Sequence, residues 1–177
     1  EEYQLPLFDL LSSITEDTYK RLFTYDFPRP TNDAVKTVIE LYCQQLNTLA
    51  SLFVEGFLWI NSSQIDFLEK SMRRIASPPD KSNSYVIWGT VPYFPAFMLF
   101  YIAGITCVSK NDFTTLARLL KIDIPDKYQG EVNILAKLIH YNVLEDDQLK
   151  SIYGKNHHVP MSELLYKEHR QYFMIYI

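Results

Sequence analysis

The sequence predicts an all-α fold, an irregular bundle or set of stacked helix pairs of about seven helices. Three observations carry that prediction. Apolar residues recur at steps of three and four over long stretches. Glycine is scarce, only 5 of 177 residues, which leaves few of the tight turns that a meander of short strands needs. Hydrophobic residues make up 47% and charged residues 21%, the balance of a chain that buries a core rather than one that stays disordered.

The first helix is predicted within residues 1–27. Thr15 caps it in this reading, with Glu16 and Asp17 in a first turn where the helix dipole favours anions, and Tyr19, Leu22 and Phe23 follow at helical spacing. Phe27-Pro28-Arg29-Pro30 then breaks the chain. The strongest periodicity spans 33–58, opened by Thr31 or Asn32. Val35, Val38, Ile39, Tyr42, Leu46, Leu49, Phe53 and Phe57 form one apolar stripe, and charged and polar residues fill the other face. Ser62 or Ser63 starts a helix over about 64–76, with Ile65, Leu68, Met72 and Ile75 buried and Lys70, Arg73 and Arg74 in its last turns.

Residues 77–84 read as a loop and as the best place for a sub-domain boundary within one helical module covering 1–177. Tyr85 to Val108 carries no charge, yet Gly89, Pro92 and Pro95 crowd its first half. Pro95 suits a helix start, so the helix is predicted over 95–109. At about 1.5 Å per residue that is ~22 Å, short of the ~30 Å that a membrane span requires. A buried core helix is therefore favoured over a membrane-associated segment. Asn111 is expected to cap a short helix reaching about Lys121, with Phe113, Leu116, Leu119 and Leu120 inward. A loop with Pro125 follows over 122–130, then a helix over 131–141 with Val132, Leu135, Leu138 and Ile139. Glu145-Asp146-Asp147 opens another helix, closed near Gly154, and 160–172 is predicted as a last one.

Composition and motifs narrow the function. The net charge of −4 argues against general nucleic-acid binding, which needs a basic surface. Cys43 and Cys107 sit in apolar stretches, as buried, reduced thiols of a cytoplasmic protein do. Nothing at the start reads as a secretory leader. The apolar end, Phe173 to Ile177, predicts either that a longer protein continues there or that this end packs into the core. No phosphate-cradling glycine loop surrounds the one Gly-Lys pair, Gly154-Lys155, and no Gly-x-Ser-x-Gly nucleophile motif occurs. His157, His158, Glu163 and His169 lack the spacing of a zinc site, and no cofactor is implied. Asp146-Asp147 and Glu16-Asp17 read as helix-start acids rather than catalytic pairs.

Lys70, Arg73 and Arg74 form the one compact basic cluster. A solvated helix end explains it, and an anion or acidic-partner contact is the functional reading. Trp59, Trp88, Tyr93 and Tyr101 are the aromatic candidates for a partner surface, each also expected in a core.

The run Val91-Pro92-Tyr93-Phe94-Pro95-Ala96-Phe97 through Gly104-Ile105, followed by Phe113-Thr114-Thr115-Leu116-Ala117-Arg118-Leu119-Leu120, resembles a pattern in helical regions of large bacterial multidomain proteins. Those proteins carry sirtuin-like, TIR or nuclease effectors and belong to anti-phage defence. The resemblance covers about 30 residues. It implies a sensing or scaffolding lobe beside a separate effector, with protein partners, the effector of the same chain or further copies of itself. The sirtuin-like glycine loop is absent here. So is the Arg-to-His spacing of the small helical nucleases of the HEPN family, since Arg170 follows His169. The leading expectation is a non-catalytic interaction domain. A helical hydrolase or nuclease built on His157, His158, Glu163 and His169 is the second, and a membrane-associated segment the third.

Overall fold

A computed structural model describes residues 4–59, 65–80, 85–126, 129–139, 143–144 and 146–154, together with Glu163 and Tyr166. The chain is predominantly α-helical: α1 (Gln4–Phe23), α2 (Asn32–Trp59), α3 (Asp66–Ile75), α4 (Val86–Thr90), a 3-10 turn (Val91–Tyr93), α5 (Phe94–Ser109), α6 (Phe113–Leu119), α7 (Ile134–Leu138) and α8 (Asp146–Tyr153). Between α6 and α7 lies a two-stranded antiparallel hairpin, β1 (Asp123–Asp126) and β2 (Gly130–Asn133).

The periodic stripe of α2 is the spine of the molecule. All eight of its predicted apolar positions are buried, and α2 packs most extensively on α5. Thr31 caps the helix, its Oγ1 accepting from the Ala34 N–H at 3.1 Å. Four large rings, Phe53, Phe57, Phe94 and Phe97, are fully buried in the α2–α5 region. One cluster of buried residues runs from Leu11 to Leu149 and includes side chains from both sides of residues 77–84.

α5 follows its prediction closely, starting at Phe94 with Pro95 in its first turn. The segment before it is also helical, so Val86–Ser109 forms a 24-residue helical run apolar enough in composition to cross a membrane; 72% of its most apolar window is buried inside the fold. A 3-10 turn interrupts the α-helical bonding of the run at Val91–Tyr93.

Four predicted elements are corrected. α1 begins at Gln4, so Thr15 and the acids Glu16 and Asp17 lie in mid-helix. The Thr15 hydroxyl bonds back to the Leu11 carbonyl at 2.7 Å and to Ser71 Oγ on α3 at 2.9 Å, a packing role rather than a cap. Asp112, not Asn111, caps α6. Its Oδ1 accepts from the Thr115 N–H at 3.0 Å and its Oδ2 from the Thr115 hydroxyl at 2.8 Å. Asn111 has φ of 58°, the left-handed turn that ends α5. On α6, Leu119 is buried and Leu116 half-buried, but Phe113 and Leu120 face solvent.

The third correction is the hairpin, which replaces the predicted loop over 122–130. Ile124 pairs with Val132 and Asp126 with Gly130, and Gly130 supplies the positive φ of 78° at the start of β2. The fourth follows from it: residues 131–133 are strand, and α7 covers only Ile134–Leu138. Asn133 makes the switch, its Oδ1 accepting from the Leu135 N–H at 3.0 Å while its Nδ2 donates to the Leu120 carbonyl at 3.0 Å. Ile134 and Leu138 point inward; Leu135 and Ile139 are exposed. Ser62, Ser63, His140, His157, His158 and His169 lie outside the described residues.

Candidate functional site

The predicted basic cluster sits where α3 packs on α1. The Arg74 guanidinium forks onto Glu16 of α1, Nε to Oε1 at 2.6 Å and Nη2 to Oε2 at 2.9 Å. It also lies over the Tyr19 ring, 3.5 Å from its centroid. That hydrogen bond holds the Glu16 carboxyl below the ordinary glutamate range. Lys70 extends over the Phe67 ring at 5.4 Å. A shallow cleft of about 160 Å³ lies between the helices, with Thr15, Ser71 and Arg74 in its wall. The fork of Arg74 is thus committed to Glu16, which ties two helices together. Arg73, the third member of the cluster, is half-buried on α3.

A larger cleft, about 530 Å³, opens at the other end of the loop that follows α3. Three separate parts of the chain build it: the loop Ser77–Asp80, the α4 and 3-10 segment around Gly89 and Tyr93, and the hairpin with α7, which bring Asp126 and Lys137. Its volume falls in the range of small-molecule sites. Prolines are prominent in its walls: Pro78, Pro79, Pro92 and Pro125. Their fixed φ makes the walls stiff.

Trp88 forms the floor. Its ring is fully buried and stacked on Phe27, centroids 4.8 Å apart, and its Nε1–H donates to the Pro28 carbonyl at 2.8 Å. Gly89 leaves the wall open beside it: a Cβ there would meet no atom within 4 Å. Asp126 is nearly fully buried and makes an ion pair with Lys137, whose side chain remains 31% exposed. Asp126 Oδ1 also accepts the Gln129 N–H at 3.0 Å. The Lys137 ammonium lies 5.7 Å from the Tyr93 ring centroid.

Burial pushes the Tyr93 hydroxyl above its ordinary pKa. Lys137 opposes the shift, and the Asp126 and Asp80 carboxylates add to it, so the phenol keeps its proton at neutral pH. The cleft therefore contains hydrogen-bond donors, one compensated cation and walls of mixed polar and apolar character. Neither cysteine takes part. Cys43 and Cys107 are buried and unpaired with each other, and burial pushes the Cys107 thiol up to about 12, far from nucleophilic use. No group of three or more metal-ligating side chains occurs among the described residues.

Of the aromatic candidates, Trp88 belongs to the core and Tyr93 to the cleft. Trp59 is exposed at the end of α2, its Nε1–H donating to Glu55 at 2.8 Å. Tyr101 is exposed with Ile105 and Val108 along one stripe of α5. Asp126 and Lys137 had no signature in the sequence. They lie up to about a quarter of the chain away from Trp88 and Tyr93, and the hairpin carries them there.

Comparison with known proteins returned no matching family model, no matching curated protein and no matching solved structure.

Proposed function

We propose that this chain is a non-catalytic helical interaction module that senses a ligand on behalf of an effector elsewhere in a larger bacterial protein, of the kind that serves anti-phage defence. The cleft floored by Trp88 and walled by Tyr93, Lys137 and the four prolines carries this reading. It has the volume of a small-molecule site and places a few polar groups among apolar ones. Its polar groups are held in place by one another: Asp126 fixes Lys137, and Lys137 lies beside the Tyr93 ring. The link to a defence effector rests on the resemblance of the Val91–Ile105 and Phe113–Leu120 stretches.

Thermal melting against a library of metabolites tests the reading, using the chain and a Gly89→Trp variant. Gly89 lines the cleft and a Cβ there meets no atom within 4 Å, so a large side chain at this position is placed to obstruct it. A compound that approaches saturation should raise the melting temperature of the parent chain by several degrees and leave the variant unmoved. A library in which every active compound stabilises both chains alike would sink the proposal.

A further inference from the structure

The charges and donors of the cleft also define what kind of molecule fits it. We propose that it binds a small uncharged organic molecule that presents an amide or ring carbonyl to Lys137 and Tyr93, an inference that rests on the cleft being a ligand site.

Lys137 has three N–H donors, and its ion pair with Asp126 needs one of them. The Tyr93 hydroxyl is a further donor of the same cleft, and the Tyr93 ring centroid lies 5.7 Å from the ammonium. The Asp126 carboxylate is the complementary acceptor, and both of its oxygens are engaged, one by Lys137 and one by the Gln129 N–H. The inner part of the cleft thus offers donors and asks for an acceptor.

Charge decides which acceptor. Lys137 is already neutralised by Asp126, and Asp80 adds a carboxylate at the rim. An anionic ligand would bring a second negative charge to a lysine that has its counterion. A cationic ligand would meet the Lys137 ammonium at the inner end, and the attraction of an exposed Asp80 is screened by solvent. A neutral carbonyl takes the free donors without either penalty. Pro78, Pro79 and Pro125, which keep accessible surface in the lining, then cover a flat apolar body.

Benzamide, benzoate and benzylamine share one ring and differ in charge, so they separate these cases. In saturation-transfer NMR titrations of the whole chain, benzamide should half-saturate at a concentration about tenfold or more below the other two, because a mismatched or unpaired charge must be desolvated. Gly89→Trp should abolish the benzamide signal, and Tyr93→Phe and Lys137→Met should each weaken it about tenfold. Circular dichroism melts accompany every variant. Should Lys137→Met fail to fold, with the buried Asp126 deprived of its lysine, the other two variants still decide. Preference for benzylamine or benzoate, or benzamide binding indifferent to Gly89→Trp, overturns the ligand class. If a charged probe binds and Gly89→Trp removes it, the sensing module stands and only the ligand class falls. If neither these probes nor any library compound distinguishes the parent from Gly89→Trp, both fall.

Discussion

The α2–α5 spine and the hairpin–α7 corner are held together by different physics. The spine is a contact of apolar side chains repeated along two long helices, with Phe53, Phe57, Phe94 and Phe97 fully buried. Its strength is spread over many small contributions, and any apolar residue of similar volume would serve at most positions. The corner has two four-residue strands and a five-residue helix, too short to be stable alone. It depends on a few directed bonds: Asn133 to the Leu120 carbonyl and the Leu135 N–H, and Asp126 to Lys137 and the Gln129 N–H. Redundancy protects the spine, whereas the corner concentrates its support in fewer, directed bonds. The larger cleft lies against the corner.

The sharpest break should come in the spine. Phe97→Ala removes a fully buried ring and should cost about 3–5 kcal/mol of unfolding free energy, read by urea denaturation. In the corner, Asp126→Ala should cost about 2 kcal/mol, because it strands the Gln129 N–H and a partly buried ammonium. It should also flatten the cleft's ligand preference, which Phe97→Ala should leave intact in the fraction that remains folded. A loss below about 0.5 kcal/mol would mean that the corner is as redundant as the spine.

Next in size is Asp112→Ala at the start of α6, where the lost cap should cost about 1 kcal/mol. This effect carries a pH signature. The Thr115 backbone and hydroxyl bonds hold the Asp112 carboxyl below its ordinary value of 3.8. Its stabilisation is therefore complete above that value and fades as pH falls through the lower folded-state pKa. The variant and the parent should converge in stability on acidification below pH 3.8, and a constant gap would contradict the cap.

The smallest effect should have the opposite sign. The Tyr42 hydroxyl is buried in the spine with no hydrogen-bond partner among the described residues, and burial raises its pKa well above the ordinary tyrosine range. Tyr42→Phe removes that uncompensated group and should be neutral or stabilising by up to about 1 kcal/mol in the same urea experiment. A clear destabilisation would show that the hydroxyl has a partner after all.

The same division explains what could be read from the residues. The α2 stripe and the buried face of α3 were legible because a helix repeats its core contact every three or four positions. The start of α1 was not. Thr15, Glu16 and Asp17 have the composition of a helix start, and what keeps them in mid-helix is tertiary: Ser71 for Thr15 and Arg74 for Glu16. The hairpin was hidden for a related reason. Asp-Ile-Pro-Asp and Gly-Glu-Val-Asn are short and polar, and Pro125 reads as a loop. The strands form because Asn133 and the Ile134 N–H, which donates to the Ile122 carbonyl at 2.8 Å, close the open end of the hairpin. The cleft had no local signal at all. Tyr93 was singled out as an aromatic, but its pairing with Lys137 exists only once the chain has closed over more than 40 residues.

The charge-free run from Val86 to Ser109 has a consequence for how the chain is made. Read as it leaves the ribosome, this stretch offers the apolar length that targeting machinery selects for insertion into a bilayer. The order of the sequence answers that hazard. α2, the main cover for α5, is synthesised some fifty residues earlier, and α1 and α3 come before it as well. At roughly 5–20 residues per second, the receiving surface has several seconds to assemble before the segment that needs it emerges. A circular permutation that moved α5 ahead of α2 would keep every native contact and expose the growing chain to the wrong solvent.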